Sequence, residues 1–82
     1  MSKLRTLSGQ ELLQIFSRFG FHALSQHGSH MKLRRVRPEG TQQTLTIVFH
    51  DEFDKGTLRA IYRQALRFIS ESELREHFYT QD

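Results

Sequence analysis

Residues 30–50 read HMKLRRVRPEGTQQTLTIVFH, and apolar and polar side chains alternate on both sides of the central Pro-Glu-Gly. Alternation with a period of two is typical of a β-strand that buries one face. We therefore predict strands over 30–37 and 44–50 that pair as an antiparallel hairpin around a turn at 38–40. The side chains predicted to face the core are Met31, Leu33, Leu45, Ile47 and Phe49.

The other face of this hairpin is predicted to be open and basic. Residues 21–27 form a third strand candidate, and the Gly-Ser pair at 28–29 is typical of a tight turn that leads into the hairpin. The sequence therefore predicts a three-stranded antiparallel sheet. Its open face is expected to carry His30, Lys32, Arg34 and His50.

Helical patterns flank the predicted sheet. A Ser-x-x-Glu capping box and one apolar face indicate a helix over residues 8–19. A second long helix begins near Asp54, and a short one follows Ser70. Packing these apolar faces against one side of the sheet gives a single α+β domain over residues 1–82, helix, three-stranded antiparallel sheet, helix and short C-terminal helix. We expect residues 80–82 to fray.

The charge of the chain is unevenly distributed. The net charge is +3, but residues 1–37 contain seven basic residues and one acidic residue, whereas residues 38–82 contain five basic and eight acidic residues. A basic half indicates an anionic partner such as RNA, DNA or a membrane surface. A solvated face that keeps the protein in solution would have the same composition.

Several classes of protein are disfavoured by the composition. The chain contains no cysteine, which excludes disulfides and thiolate metal sites. No apolar run approaches the roughly 20 residues of a membrane span. The first five residues lack the apolar stretch of a secretion signal. We therefore expect a cytoplasmic protein that does not enter a membrane.

Histidine is the residue type that could carry chemistry. The sequence has no phosphate-binding glycine loop, nucleophile elbow or paired carboxylates. His22, His27 and His30 lie close together, but their spacing matches no metal-ligand pattern. An imidazole at His30 could take a proton from a ribose 2′-hydroxyl or give one to a leaving oxygen. Lys32 and Arg34 could hold the phosphate. The alternative is a surface histidine that binds nothing.

A set of short motifs, taken in order, resembles a known family. They are Gly20-Phe21, Gln26, Gly28-Ser29-His30, His50, Gly56-Thr57-Leu58-Arg59-Ala60-Ile61 and Arg63-Gln64-Ala65. With them the chain resembles the HicA toxins of bacterial toxin–antitoxin pairs. The resemblance implies a fold like the double-stranded-RNA-binding domain and a ribosome-independent endoribonuclease that cleaves mRNA. It implies one catalytic histidine, which falls on His30, and a HicB antitoxin that covers this histidine.

The expected activity is therefore cleavage of mRNA without a metal or other cofactor. The residues expected to bind RNA phosphates are Lys32, Arg34, Lys55, Arg59 and Arg63. Two alternatives remain open at this point. One is an RNA-binding module of the same fold that cuts nothing, and the other is a structural protein whose open sheet face docks another protein.

The chain departs from the family pattern in two places. Val48 occupies a position where the family usually has proline, and the segment 50–56 is one residue short. The long helix also lacks the glycine that usually follows its Gln-Ala pair, so we expect that helix to continue through 66–68.

Overall fold

The computed structural model of the protein describes residues 2–80, which form three α-helices and one three-stranded antiparallel sheet. The strand order in the sheet is β1-β2-β3. This confirms the predicted α+β fold. None of the helices in this part of the chain has the length and apolarity that crossing a membrane requires. In chain order the elements are α1 (Gly9–Arg18), β1 (His22–His27), β2 (His30–Val36), β3 (Gln42–Val48), α2 (Lys55–Ala65) and α3 (Glu71–Phe78).

β2 is the central strand of the sheet and pairs with β3 in the hairpin that the alternating pattern predicted. Its register pairs His30 with Val48 and Val36 with Gln42. One face of the sheet is buried beneath the helices, and the other is open to solvent. Burial of apolar side chains on one face is the main stabilising term for such a sheet. The largest fully buried side chains are Phe16, Phe21, Phe78, Leu12, Leu33, Leu45, Ile47 and Leu74.

Helix α1 has the predicted capping box. The Ser8 hydroxyl accepts from the Glu11 amide at 3.1 Å, and the Glu11 carboxylate accepts from the Ser8 amide at 2.9 Å. Gly20, with φ of 89°, follows the helix in the left-handed conformation. The amide of Gly9 donates to the carbonyl of His50 at 2.7 Å, and a Cβ on Gly9 would lie 2.9 Å from that oxygen. The start of α1 is therefore held against the chain that leaves β3.

His50 lies outside the sheet, which corrects the prediction that β3 extends to residue 50. The strand ends at Val48. The chain then turns towards α1, because the His50 carbonyl accepts from Gly9. The imidazole of His50 packs against Phe53 with ring centroids 6.0 Å apart. The open face of the sheet is therefore formed by His30 and its strand neighbours without His50.

Gln64 joins α2 to the outer edge of β3. Its side-chain oxygen accepts from the Thr46 amide at 2.8 Å, and its side-chain nitrogen donates to the Thr46 carbonyl at 3.0 Å. These are the two bonds that a neighbouring strand would make, so an amide side chain occupies this edge at Thr46. Within residues 2–80, the outer edge of β1 has no strand partner.

Helix α2 ends at Ala65, so the prediction that it continues through 66–68 is wrong. Two amides in this segment donate to carbonyls only three residues earlier, at 3.2 and 3.0 Å. Such bonds tighten the last turn of a helix and end it. The carbonyl of Phe68 then accepts from Arg35 at 2.8 Å, which holds the chain in its new direction.

Arg35 on β2 fastens three elements to one another. Its guanidinium donates to the side-chain oxygen of Gln43 at 2.9 and 2.6 Å, to the Phe19 carbonyl at 3.1 Å and to the Phe68 carbonyl at 2.8 Å. It also lies over the ring of Phe21, 4.7 Å from the centroid. Because Phe19 caps the end of α1 and Phe68 follows the end of α2, one cation meets the negative ends of two helices.

The two ends of the described chain are paired with each other. Leu4 forms an antiparallel bridge with Tyr79, and the Thr80 amide donates to the Lys3 carbonyl at 2.8 Å. The prediction of fraying is therefore wrong for Thr80, because its backbone has a partner. The rest of that prediction concerned residues 81–82, which lie outside the described residues.

We expect Arg35→Lys to lower the free energy of unfolding by about 2–4 kcal/mol. A single ammonium cannot serve two helix carbonyls and an amide at once, so part-buried acceptors lose their donors. Denaturant unfolding measures the loss. Arg37→Ala is the control, since its exposed guanidinium has no hydrogen-bond partner within residues 2–80, and it should change stability by less than about 0.5 kcal/mol. Equally small losses in both variants would contradict this role of Arg35.

Candidate active site

A two-residue turn positions His30 at the start of β2. Gly28 has a φ of 61°. Ser29 has a negative φ, because only glycines have a positive φ within residues 2–80. A positive φ followed by a negative one is typical of a type II′ turn. The side-chain amide of Gln26 donates to the Gly28 carbonyl at 3.0 Å and braces the turn. In the β1–β2 register, His27 is the direct partner of His30. The imidazole of His30 is thus attached to a short and well-defined piece of backbone.

The open face of β2 brings together three of the four residues that the sequence predicted for this face. His30 and Lys32 are exposed, Arg34 is half-buried, and the residues between them are buried on the other face. Val48 lies opposite His30 on β3, and Thr46 lies opposite Lys32. The small side chains of Val48 and Thr46 leave the imidazole of His30 and the ammonium of Lys32 exposed. The face therefore offers one imidazole and two cations in a row.

Arg34 contains a donor that no other group satisfies. Its Nε is buried and has no hydrogen-bond partner in the part of the chain that the structure describes. Leaving a buried donor unpaired costs about 1–3 kcal/mol. His22 and Thr44 are its neighbours across the strands, and neither accepts from it. An anionic ligand that reached this guanidinium would recover hydrogen-bond energy that the free protein lacks.

Both long helices begin at the end of the molecule that carries His30. Arg35, which holds the carboxyl ends of α1 and α2, lies five residues along β2, about 17 Å from His30 at the rise of a strand. The amino end of α1 meets His50 just beyond β3. We call the two ends of the molecule the histidine end and the arginine end. The positive ends of both helix dipoles are capped by acidic side chains, Glu11 at α1 and Asp54 at α2.

A basic row on α2 leads away from its amino end. Lys55, Arg59 and Arg63 are exposed at four-residue spacing, which is a rise of about 6 Å per step. The helix begins at Asp54, whose carboxylate accepts from the Thr57 amide at 2.6 Å. This bond holds the pKa of the Asp54 carboxyl below its usual range. The predicted RNA-binding residues therefore form two groups, one on the open sheet face and one on α2.

One neighbour of His30 was missed in the sequence analysis. His27 is the last residue of β1 and faces His30 across the turn. The signal was present, because a two-residue turn between antiparallel strands always makes residues 27 and 30 direct partners. Within residues 2–80, no three histidine, aspartate or glutamate side chains are grouped so that they could hold a metal ion.

Two clefts lie away from His30. The larger, about 400 Å³, is at the arginine end between Arg35, Arg67 and Glu73. The smaller, about 180 Å³, lies beside α1 and includes Arg5 and Arg18. Neither contains the histidines of the turn. The candidate site is therefore the exposed surface around the β1–β2 turn and β2.

Comparison with known families identifies the chain. A family model described as the HicA toxin of bacterial toxin–antitoxin systems matches residues 9–66, which run from the first residue of α1 to the C-cap of α2 and contain His30. The match covers more than half of the chain. The chain belongs to the HicA toxin family. This HicA-family protein is thus the toxin component of a toxin–antitoxin system. Comparison with curated proteins and with solved structures gave no match.

Because the Thr57 amide lowers the pKa of Asp54, the stability that this carboxylate gives to α2 is present above its unfolded pKa of about 3.9. That stability is lost as the pH falls through the lower folded value. We expect Asp54→Asn to lose less stability than the parent between about pH 5 and pH 2, since asparagine caps helices equally well without titrating. Denaturant unfolding at both pH values measures this.

The matched control is Asp51→Asn, an exposed carboxylate of the same loop whose side chain has no hydrogen-bond partner within residues 2–80. Its stability should follow the parent across the same pH range. Identical pH dependence of Asp54→Asn and Asp51→Asn would contradict the assignment to the cap.

Proposed function

We propose that this HicA-family toxin is an endoribonuclease that cleaves mRNA in the cytoplasm, with His30 as its catalytic residue and no metal or other cofactor. The observation that carries the proposal is the placement of His30, exposed and fixed by a tight turn. Lys32 and Arg34 share its face. RNA supplies its own nucleophile, the ribose 2′-hydroxyl, so the protein needs to supply only proton transfer and cations that hold the phosphate.

The proposed reaction begins at the imidazole of His30. His30 takes the proton of the 2′-hydroxyl as that oxygen attacks the adjacent phosphorus. The bond from phosphorus to the 5′-oxygen breaks and that oxygen takes up a proton, so the products are a 2′,3′-cyclic phosphate and a 5′-hydroxyl. Lys32 and Arg34 stabilise the charge that builds on the phosphate oxygens.

The basic row of α2 is proposed to bind the RNA on either side of the cut. Lys55, Arg59 and Arg63 are exposed and have no hydrogen-bonded acid within residues 2–80. Cations that contact phosphates position a nucleic acid without reading its bases. We therefore assign to this row a contribution to affinity, with little effect on sequence preference.

We expect His30→Ala to abolish cleavage of a long RNA in EDTA, with a loss of at least about 100-fold, because the proton acceptor is removed. The fold should persist, since the side chain is exposed. His22→Ala is the control, as it removes another exposed histidine from β1. Cleavage by His30→Ala at the parental rate would reject the mechanism. A parent that binds RNA but cleaves none, with or without metals, would favour the RNA-binding module instead.

We also propose that the partner is a HicB-like antitoxin that covers the open face of the sheet. His30, Lys32 and Arg34 lie on that face, so a partner surface with carboxylates would be complementary and would associate quickly. Inhibition would then be by occlusion, and RNA and antitoxin would compete for the same residues.

Hydrogen exchange of the toxin with and without its antitoxin tests this mode of inhibition. Occlusion predicts protection across residues 28–37, because a bound partner shields these amides from solvent. Protection confined to residues 66–79, with 28–37 unchanged, would instead indicate inhibition through the C-terminal helix and would contradict occlusion.

A further inference from the structure

Two histidines flank the turn at the histidine end. His27 and His30 are direct partners in the antiparallel ladder, and both are exposed. Directly opposite residues have Cβ atoms about 4.5–5.5 Å apart and present their side chains on the same face. The two-residue turn fixes this pairing, so a change in the pairing would break the register of β1 and β2. The backbone therefore places both residues on one face of the sheet as direct partners.

Cleavage of RNA by its own 2′-hydroxyl needs two proton transfers. One removes the proton from the 2′-hydroxyl as it attacks, and the other supplies a proton to the 5′-oxygen as its bond to phosphorus breaks. The two oxygens lie on opposite sides of the phosphorus in an in-line displacement. A single imidazole cannot reach both in one step, whereas two neighbouring imidazoles can. Histidine suits both tasks because its two protonation states coexist near neutral pH.

We propose that His27 is a second catalytic residue of this toxin, which protonates the leaving 5′-oxygen while His30 accepts the proton of the 2′-hydroxyl. The proposal rests on the proposed nuclease function and adds the general acid to it. The step balances in atoms and charge. A P–O2′ bond forms, the P–O5′ bond breaks, one proton passes to His30 and one leaves His27. Exchange with water then returns both imidazoles to their starting states.

Other groups near the histidine end are less suited to this task. Asp54 accepts from the Thr57 amide, and that bond favours its ionised form, which has no proton to give. His50 lies outside the sheet with its ring against Phe53. The charged and titratable groups of the elements that meet at this end are Lys32 on β2, Glu11 in the first turn of α1, and His50, Asp51, Glu52, Asp54 and Lys55 in the segment that leads into α2.

The test uses RNA in which the 5′-oxygen of one cleavable linkage is replaced by sulfur. A thiolate leaves without being protonated, so a variant that lacks only the general acid recovers on this substrate. We expect His27→Ala to cut the oxygen substrate about 100-fold more slowly than the parent, and to cut the sulfur substrate at nearly the parental rate. His30→Ala should be slow on both. His22→Ala, the control on β1, should match the parent on both.

The pH dependence gives a second reading of the same variants. The parent should show a bell-shaped profile on the oxygen substrate, because one group must be neutral and the other protonated. His27→Ala should lose the fall in rate at high pH that reports the general acid. Denaturant unfolding of each variant checks that the hairpin is intact.

Several outcomes would overturn the role of His27. They are a parental rate for His27→Ala on the oxygen substrate, equal slowing on both substrates, or rescue by sulfur of His30→Ala instead. Each of these leaves the nuclease itself standing, provided that the parent cleaves RNA. A parent that cleaves neither substrate would reject the proposed function, and the role of His27 would fall with it.

Discussion

The guanidinium of Arg35 is the interaction on which the arrangement of this small domain depends. It binds the carbonyls at the ends of α1 and α2 and the side chain of Gln43, so both helices end at one place on the sheet. The amino end of α1 lies at the opposite end of the domain, where the Gly9 amide donates to the carbonyl of His50. The same cation offsets the partial negative charge of the helix carbonyls at the arginine end. One side chain thus fixes where two helices end on the sheet.

The features of the fold that were predicted are those with local signals. The capping box of α1, the left-handed Gly20 and the alternation of the hairpin each involve residues within a few positions of one another. Arg35 binds carbonyls 16 and 33 residues away, and Gln64 binds a strand 18 residues away. No pattern in the sequence marks such partners. The end of α2 at Ala65 was also missed, and there Arg35 donates to the carbonyl of Phe68, 33 residues away.

The features of the candidate site also divide into those with a local signal in the sequence and those without one. Alternation was enough to place His30, Lys32 and Arg34 on one face of β2. Alternation could not show where β3 ends. The strand ends at Val48, and beyond it the carbonyl of His50 accepts from the Gly9 amide of α1. The buried Nε of Arg34 also depends on packing across strands rather than on its neighbours in sequence. Membership of the HicA family identifies the protein as a toxin. The catalytic roles that we propose rest on the geometry of the turn between β1 and β2.

The closure of β3 by Gln64 limits how copies of this chain can associate through their sheets. Growth of a fibre by strand pairing needs an open edge on both sides of every sheet, so that each added chain exposes a new template. In residues 2–80 of this chain, one edge is occupied by an amide side chain and the other, β1, is open. A second copy that paired with β3 would have to displace the Gln64 side chain from Thr46, so pairing through β1 is the easier of the two. Strand pairing between copies is therefore disfavoured on the β3 side of the sheet.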